Sequence, residues 1–181
     1  MTTTTALGDL TGDYVLDTTH TRITFVARHT MATRVRGRFD TLEGSAHMDG
    51  HDPSKSGARL TIRAASIETR NPQRDRLLRA RFLDSDHHPT ITFTTTGVEQ
   101  VGETDFEVAG DLTIRGLTKP VTTNFELIGA EHDPHGNFRA RFKGRVVINR
   151  MDWKVNWNAA TRATIGDKVT LEFDVSAIRQ S

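Results

Sequence analysis

One helical insert in a chain that otherwise alternates like strand limits the folds open to this sequence more than any other feature. The insert opens at Asn71-Pro72, continues through Gln73-Arg74-Asp75-Arg76-Leu77-Leu78, and passes Phe82-Leu83-Asp84 to reach His88-Pro89. An Asn side chain can accept a free backbone N–H at a helix start, and proline at the first helical position has no N–H to leave unpaired. Leu77, Leu78 and Phe82 give the insert an apolar edge, so a short helix is predicted near 71–81. A strand-rich chain with one helix so placed points to a barrel carrying a plug or lid.

Strict alternation recurs on both sides of the insert. Candidate strands are Tyr14 to Asp17, Ile23 to His29, Val35 to Met48 and Arg59 to Ala65 before it. After it come Ile91 to Val98, Phe106 to Ile114, Val121 to Ile128, Phe138 to Ile148 and Val169 to Val175. Turn residues separate them, as at Gly50-His51-Asp52-Pro53 and His132-Asp133-Pro134-His135-Gly136-Asn137. Eight or nine antiparallel strands either stack as a sandwich or close on themselves, and closure removes the exposed edges. The expected fold is therefore all-β, an extended antiparallel barrel of about eight strands with the one helical insert.

The phase of the alternation adds detail. Phe106, Val108, Gly110, Leu112 and Ile114 share a face, as do Phe138, Ala140, Phe142, Gly144, Val146 and Ile148, and as do Val35, Gly37 and Phe39. Glycine on an apolar strand face either permits a bend or leaves space. Several small residues in phase favour a cavity able to hold one elongated apolar ligand.

Length and composition set the outer limits. The chain of 181 residues suits one domain, expected over 13–181 behind a flexible tail at 1–12. It has no cysteine, which removes disulfides and thiolate chemistry, and its +1 net charge is too balanced for a nucleic-acid partner. No basic segment followed by an apolar run opens the sequence and no apolar run approaches about 18 residues, so a soluble, cytoplasmic protein is expected.

No nucleophile elbow, Walker loop, dinucleotide fingerprint or placed carboxylate pair is present, and the histidine spacing fits no zinc signature. Neither a catalytic constellation nor a metal site is expected. His29 lies in phase with Ile23, Phe25 and Ala27, which turns its ring toward the barrel interior as a core histidine or a ligand contact. Arg34, Arg36 and Arg38 alternate opposite Val35, Gly37 and Phe39, and with Arg28 they form an outward basic stripe. Such a stripe is either a solvated face or a surface for anionic lipid or an acidic partner. Arg74 beside Asp75 on the apolar helix reads as a pair that positions the helix. Trp153 and Trp157 either close the mouth of an apolar site or cap the core.

These motifs together resemble the YceI-like family, also called polyisoprenoid-binding proteins. The resemblance rests on Ser66-Ile67-x-Thr69-x-Asn71-x-x-Arg74-Asp75-x-x-Leu78 through Phe82-Leu83-Asp84 to Pro89-x-Ile91-x-Phe93. Further matches are Gly110-Asp111-Leu112-Thr113-Ile114-Arg115-Gly116-Leu117-Thr118-Lys119-Pro120-Val121, Asn149-Arg150-x-Asp152-Trp153 and Gly166-Asp167-x-Val169. Upstream, Asp17-x-x-His20-Thr21-x-Ile23-x-Phe25 and the His29 to Gly37-x-Phe39 spacing agree. The resemblance implies a lipocalin-like barrel whose hydrophobic tunnel holds an isoprenoid chain of the polyprenyl or quinone type, with no catalytic residues.

A non-catalytic carrier follows, with no required cofactor beyond the bound isoprenoid lipid or quinone itself. Expected lining residues are Ile23, Phe25, Phe93, Leu112, Phe125, Phe142 and Ile148, with Leu78 and Phe82 from the helix and Trp153 at one end. His29, Arg74 and Arg150 are the expected polar contacts to a headgroup or the entrance. Transient contact with a membrane surface and pairing as a homodimer complete the expected partners. The competing expectation is an interaction module with a filled barrel that displays its arginine stripe to an acidic partner or membrane.

Overall fold

A computed structural model describes residues 6–29 and 33–181, with the side chain of His29 outside the described set. Eleven strands form one antiparallel sheet: β1 (Gly12–Leu16), β2 (Arg22–His29), β3 (Thr33–Phe39), β4 (Leu42–Met48), β5 (Gly57–Arg63), β6 (Ile67–Glu68), β7 (Thr90–Gln100), β8 (Asp105–Ile114), β9 (Leu117–His132), β10 (Phe138–Asn149) and β11 (Ile165–Arg179). They occupy only eight positions around a closed barrel, because three positions are each filled by two strands in series. β1 and β2 follow one another along the same edge of β11, with Tyr14 opposite Arg179 and Phe25 opposite Leu171. β4 pairs with β1 while β3 pairs with β2, and β5 and β6 pair with β4 and β3 in turn. The stretch expected as one strand from Val35 to Met48 therefore breaks at Asp40-Thr41, where it passes from one half-strand to the next.

The two ends of the barrel differ. The tight turns after β4, β7 and β9 lie at one end, here the lower; the β8–β9 connection and the long excursions around 64–89 and 150–164 lie at the upper end, where β2 also ends and β3 begins. Within the segment expected as a flexible tail at 1–12, residues 1–5 lie outside the described residues, and Leu7–Leu10 form a 3-10 turn at the lower end with Leu10 buried. The Tyr14 hydroxyl, itself only 1% exposed, donates to the Leu10 carbonyl at 2.8 Å. Leu10 and Tyr14 pack with Phe138, Ala140 and Ala177 into a floor. Burial of Leu10, partial burial of Leu7 and the Tyr14 hydrogen bond together offset the cost of ordering these few residues.

The insert forms α1 (Pro72–Leu77), which runs directly into a π-helical turn at Leu78–Phe82 and so ends one residue beyond the expected span. Asn71 caps it, accepting from the Arg74 amide at 3.1 Å with Pro72 at the first position. This helix lies beside β6, which among the described residues has no strand on its far side. Side chains take the ladder's place. The Asp75 carboxylate accepts from the Thr69 amide (2.9 Å) and hydroxyl, Arg74 donates to the Thr69 hydroxyl (2.8 Å) and carbonyl (2.9 Å), and Arg79 donates to the Ile67 carbonyl (3.4 Å). Arg74 and Asp75 thus act on the helix as expected, but through Thr69 and not through each other. A second helix that the sequence reading did not foresee, α2 (Ala159–Thr164), is held by a capping box between Asn158 and Thr161.

Candidate functional site: two apolar chambers in line

The barrel is hollow. An upper cavity of about 300 Å³ and a lower one of about 210 Å³ meet end to end, sharing Leu60, Phe93, Thr123 and Phe173 as common wall. Inward-facing residues at this waist, such as Leu60, Phe93 and Phe173, stay half-buried because space lies over them.

Of the residues expected to line a tunnel, Ile23, Phe25, Leu112 and Ile148 contribute strand walls to the upper chamber, and Leu78 and Phe82 contribute from the π-helical turn. Phe125 and Phe142 line the lower chamber, and Phe93 lines both. Trp153 lines neither. It is 3% exposed, and its indole N–H donates to the Leu112 carbonyl at 2.9 Å, which fixes the 3-10 turn Arg150–Trp153 against the wall. His29 occupies the last position of β2, opposite Ile165, while its side chain lies outside the described residues.

Arg74 and Arg150 both line the upper chamber, yet both are committed to the protein. Arg150, 4% exposed, donates to the carbonyls of Val155 (2.6 Å), Ile165 (2.9 Å) and Gly166 (2.9 Å). Burial pulls its guanidinium below the ordinary value, only partly countered by Asp167 nearby. A buried arginine is retained only when such acceptors surround it, so Arg150 acts as a clamp on the α2 excursion and offers little to a headgroup. Arg115 plays a matching part from the β8–β9 turn, donating to the carbonyls of Phe82 (3.1 Å), Lys154 (3.0 Å) and Asn156 (3.3 Å). The upper rim is thus tied together through carbonyl groups, which no sequence pattern announces.

The in-phase glycines have a different use from either one expected. A Cβ on Gly144 would stand 2.6 Å from Cε1 of Phe125, the residue directly opposite in β9; Gly37 is covered in the same way by Phe25, and Gly110 by the diagonal neighbour Phe93. The missing side chain lets each ring lie along the wall instead of standing into the lumen. The space is therefore created one residue away from the glycine.

Several lining residues escaped the sequence reading. Leu171 and Phe173 lie within the expected final strand and could have been found from its phase; Leu7, Leu10, Thr161 and Thr164 lie in segments with no strand signal. Thr164 lines the upper chamber and is also solvent-exposed, so the chamber comes to the surface beside α2.

Known proteins share this architecture. The family model described as a YceI-like domain matches residues 14–177. A UPF0312 protein of Pectobacterium carotovorum subsp. carotovorum is 35% identical over 162 residues, covering 89% of this chain and 82% of its own. A UPF0312 protein of Pseudomonas aeruginosa is 34% identical over 174 residues, covering 94% of this chain and 89% of its own. Among solved structures, BcnA of Burkholderia cenocepacia aligns with a TM-score of 0.81 at 20% identity, covering 89% of this chain and 98% of its own. A polyisoprenoid binding domain from Saccharophagus degradans aligns with a TM-score of 0.75 at 19% identity, covering 92% and 98%. Those two likenesses establish the lipocalin-like barrel, and the sequence match runs from β1 to the last turn of the wall at β11. On both counts the chain belongs to the YceI-like family.

Proposed function

We propose that this protein is a non-catalytic carrier that holds one long-tailed isoprenoid lipid, of the polyprenyl or quinone type, along the two chambers. The observation that carries the reading is the pair of apolar cavities meeting at a shared waist inside a closed wall. Such a space favours an apolar chain over water, since water there would find too few polar partners.

Magnitudes select a long chain. Each buried CH₂ contributes ~0.8 kcal/mol, so about ten carbons give ~8 kcal/mol, which only matches the ~4–15 kcal/mol that association costs. A tail reaching through the waist into the lower chamber is needed for a stable complex. The structural likeness to a polyisoprenoid binding domain from Saccharophagus degradans agrees with a tail of this kind.

Native mass spectrometry with organic extraction, on protein purified gently from its own host, tests the reading. A co-purifying lipid, or uptake of added quinone or polyprenol, is the expected result. Repeated recovery of lipid-free protein that also takes up neither would overturn it.

A further inference from the structure

The outer face of β10, β11, β2 and β3 is ordered in rows that change character toward the upper rim. One row reads Arg145, Glu172, Thr24 and Arg38 across the four strands, the next Val147, Thr170, Val26 and Arg36, and the last Asn149, Lys168, Arg28 and Arg34, where Arg28 lies beyond Thr170's partner on β2. Glu172 of the first row meets Arg36 of the second at 3.5 Å, and Arg38 meets Asp40 at 2.8 Å and Glu68 at 3.6 Å. In the second row Val147 is 51% exposed. In the last row, nearest the rim, Arg28 and Arg34 stand directly opposite each other, both exposed, and among the described residues neither they nor Lys168 have a carboxylate partner.

Like charges directly opposite across two strands destabilise a sheet. The free protein gains nothing from this pair, so its benefit lies with something that binds. Around the same rim stand exposed Arg70, Arg76, Arg81 and Lys154, which outnumber the exposed Asp86 and Asp152, and Trp157 is 46% exposed with Arg81 at 6.0 Å from its ring centre. At the lower end the turns instead carry Asp49, Asp52, Glu103 and Asp133 against the one lysine Lys55. A chain of balanced net charge is therefore polarised from end to end, positive where the upper chamber reaches the surface.

We propose that the upper rim docks on an anionic lipid bilayer, with Arg28, Arg34 and Lys168 over headgroup phosphates and Trp157 at the acyl boundary. Basic residues gather at negative membranes, and tryptophan settles at the interface, which an acidic protein surface would not reward. End-to-end polarity also orients the approach, bringing the chamber's opening toward the lipid. This docking extends the carrier reading but is measured separately from it.

Vesicle flotation with phosphatidylcholine alone and with added phosphatidylglycerol gives the test. Binding to the anionic vesicles is expected, weakened by salt and accompanied by a blue shift of Trp157 emission, Trp153 being already buried. Arg28→Glu should fold as well as or better than the parent, because it replaces a repulsive cross-strand pair with an opposite-charge one, yet bind anionic vesicles roughly 25-fold more weakly, about fivefold per unit of charge. Quinone or polyprenol uptake from detergent solution by this variant should match the parent, so that failed uptake with intact docking strikes only the carrier reading. Equal binding to both vesicle types, unchanged binding by Arg28→Glu, or equally tight capture of soluble polyglutamate with no Trp157 shift would overturn the docking proposal.

Discussion

Phe125 rests on Gly144, ring edge where a side chain would begin, with only 2.6 Å between Cε1 and the place a Cβ would take. Gly144→Ala therefore has to lift the ring into the lower chamber. Overpacking of this kind costs about 1–3 kcal/mol, and the ligand loses the space the ring enters. Native mass spectrometry should show lipid occupancy down at least about tenfold, with the double variant Gly144→Ala/Phe125→Leu recovering most of it. Unchanged occupancy in Gly144→Ala would show that the tail does not pass this ring.

Where β1 hands over to β2, Arg139 joins three elements. It donates to the Asp17 carboxylate, to the Ser176 hydroxyl at 2.7 Å and to Asp133 at 3.1 Å. Burial alone would raise the Asp17 carboxyl, but hydrogen bonds from Arg139, His20 and the Thr19 amide, with the Arg139 charge, outweigh it and hold the group below the ordinary value. A folded-state value lowered in this way adds stability above the unfolded value near ~3.9, and that stability disappears as pH falls through the folded value. Arg139→Met should lose about 1–3 kcal/mol in urea denaturation at neutral pH, with the difference from the parent narrowing on acidification below about pH 4. A difference that stayed constant with pH would mean the Asp17 contact contributes nothing.

Arg150→Met should strand the carbonyls of Val155, Ile165 and Gly166. Leaving buried acceptors unpaired costs about 1–3 kcal/mol. Hydrogen exchange should accelerate across 154–166 while the β7–β8 ladder keeps its protection. Uniform acceleration over the whole barrel would contradict a local clamp.

Tyr14→Phe removes one buried hydrogen bond, to Leu10, while keeping the ring. The expected loss is about 1 kcal/mol, or about 2–4 °C in Tm for a chain of this size, with faster exchange confined to residues 7–12. An unchanged melting temperature would show the Leu7–Leu10 turn to be held by packing alone.

The barrel was legible in the sequence because alternation is a local property. Phe106 to Ile114 and Phe138 to Ile148 announce their inner faces without reference to any partner. Asn71-Pro72 marked the helix for the same reason, through cap chemistry within a few residues. What stayed hidden depends on distant partners. That Gly144 serves Phe125, that Arg150 and Arg115 spend themselves on carbonyls, and that Leu10 joins the floor are all consequences of closure. The register that seats Phe125 opposite Gly144 exists only once β9 and β10 have paired.

The stretch of wall beside β6 is a seam stitched by side chains. Everywhere else around the ring, two strands part only if a run of backbone bonds fails together, whereas here Arg74, Asp75 and Arg79 can let go of Thr69 and Ile67 by turning about their own side-chain bonds. Each of these contacts rests on a single side chain, without the repeated backbone bonds of a ladder. That seam lies over the upper chamber, beside Leu78 and Phe82, so side chains and not a backbone ladder close the wall where the apolar space reaches toward α1.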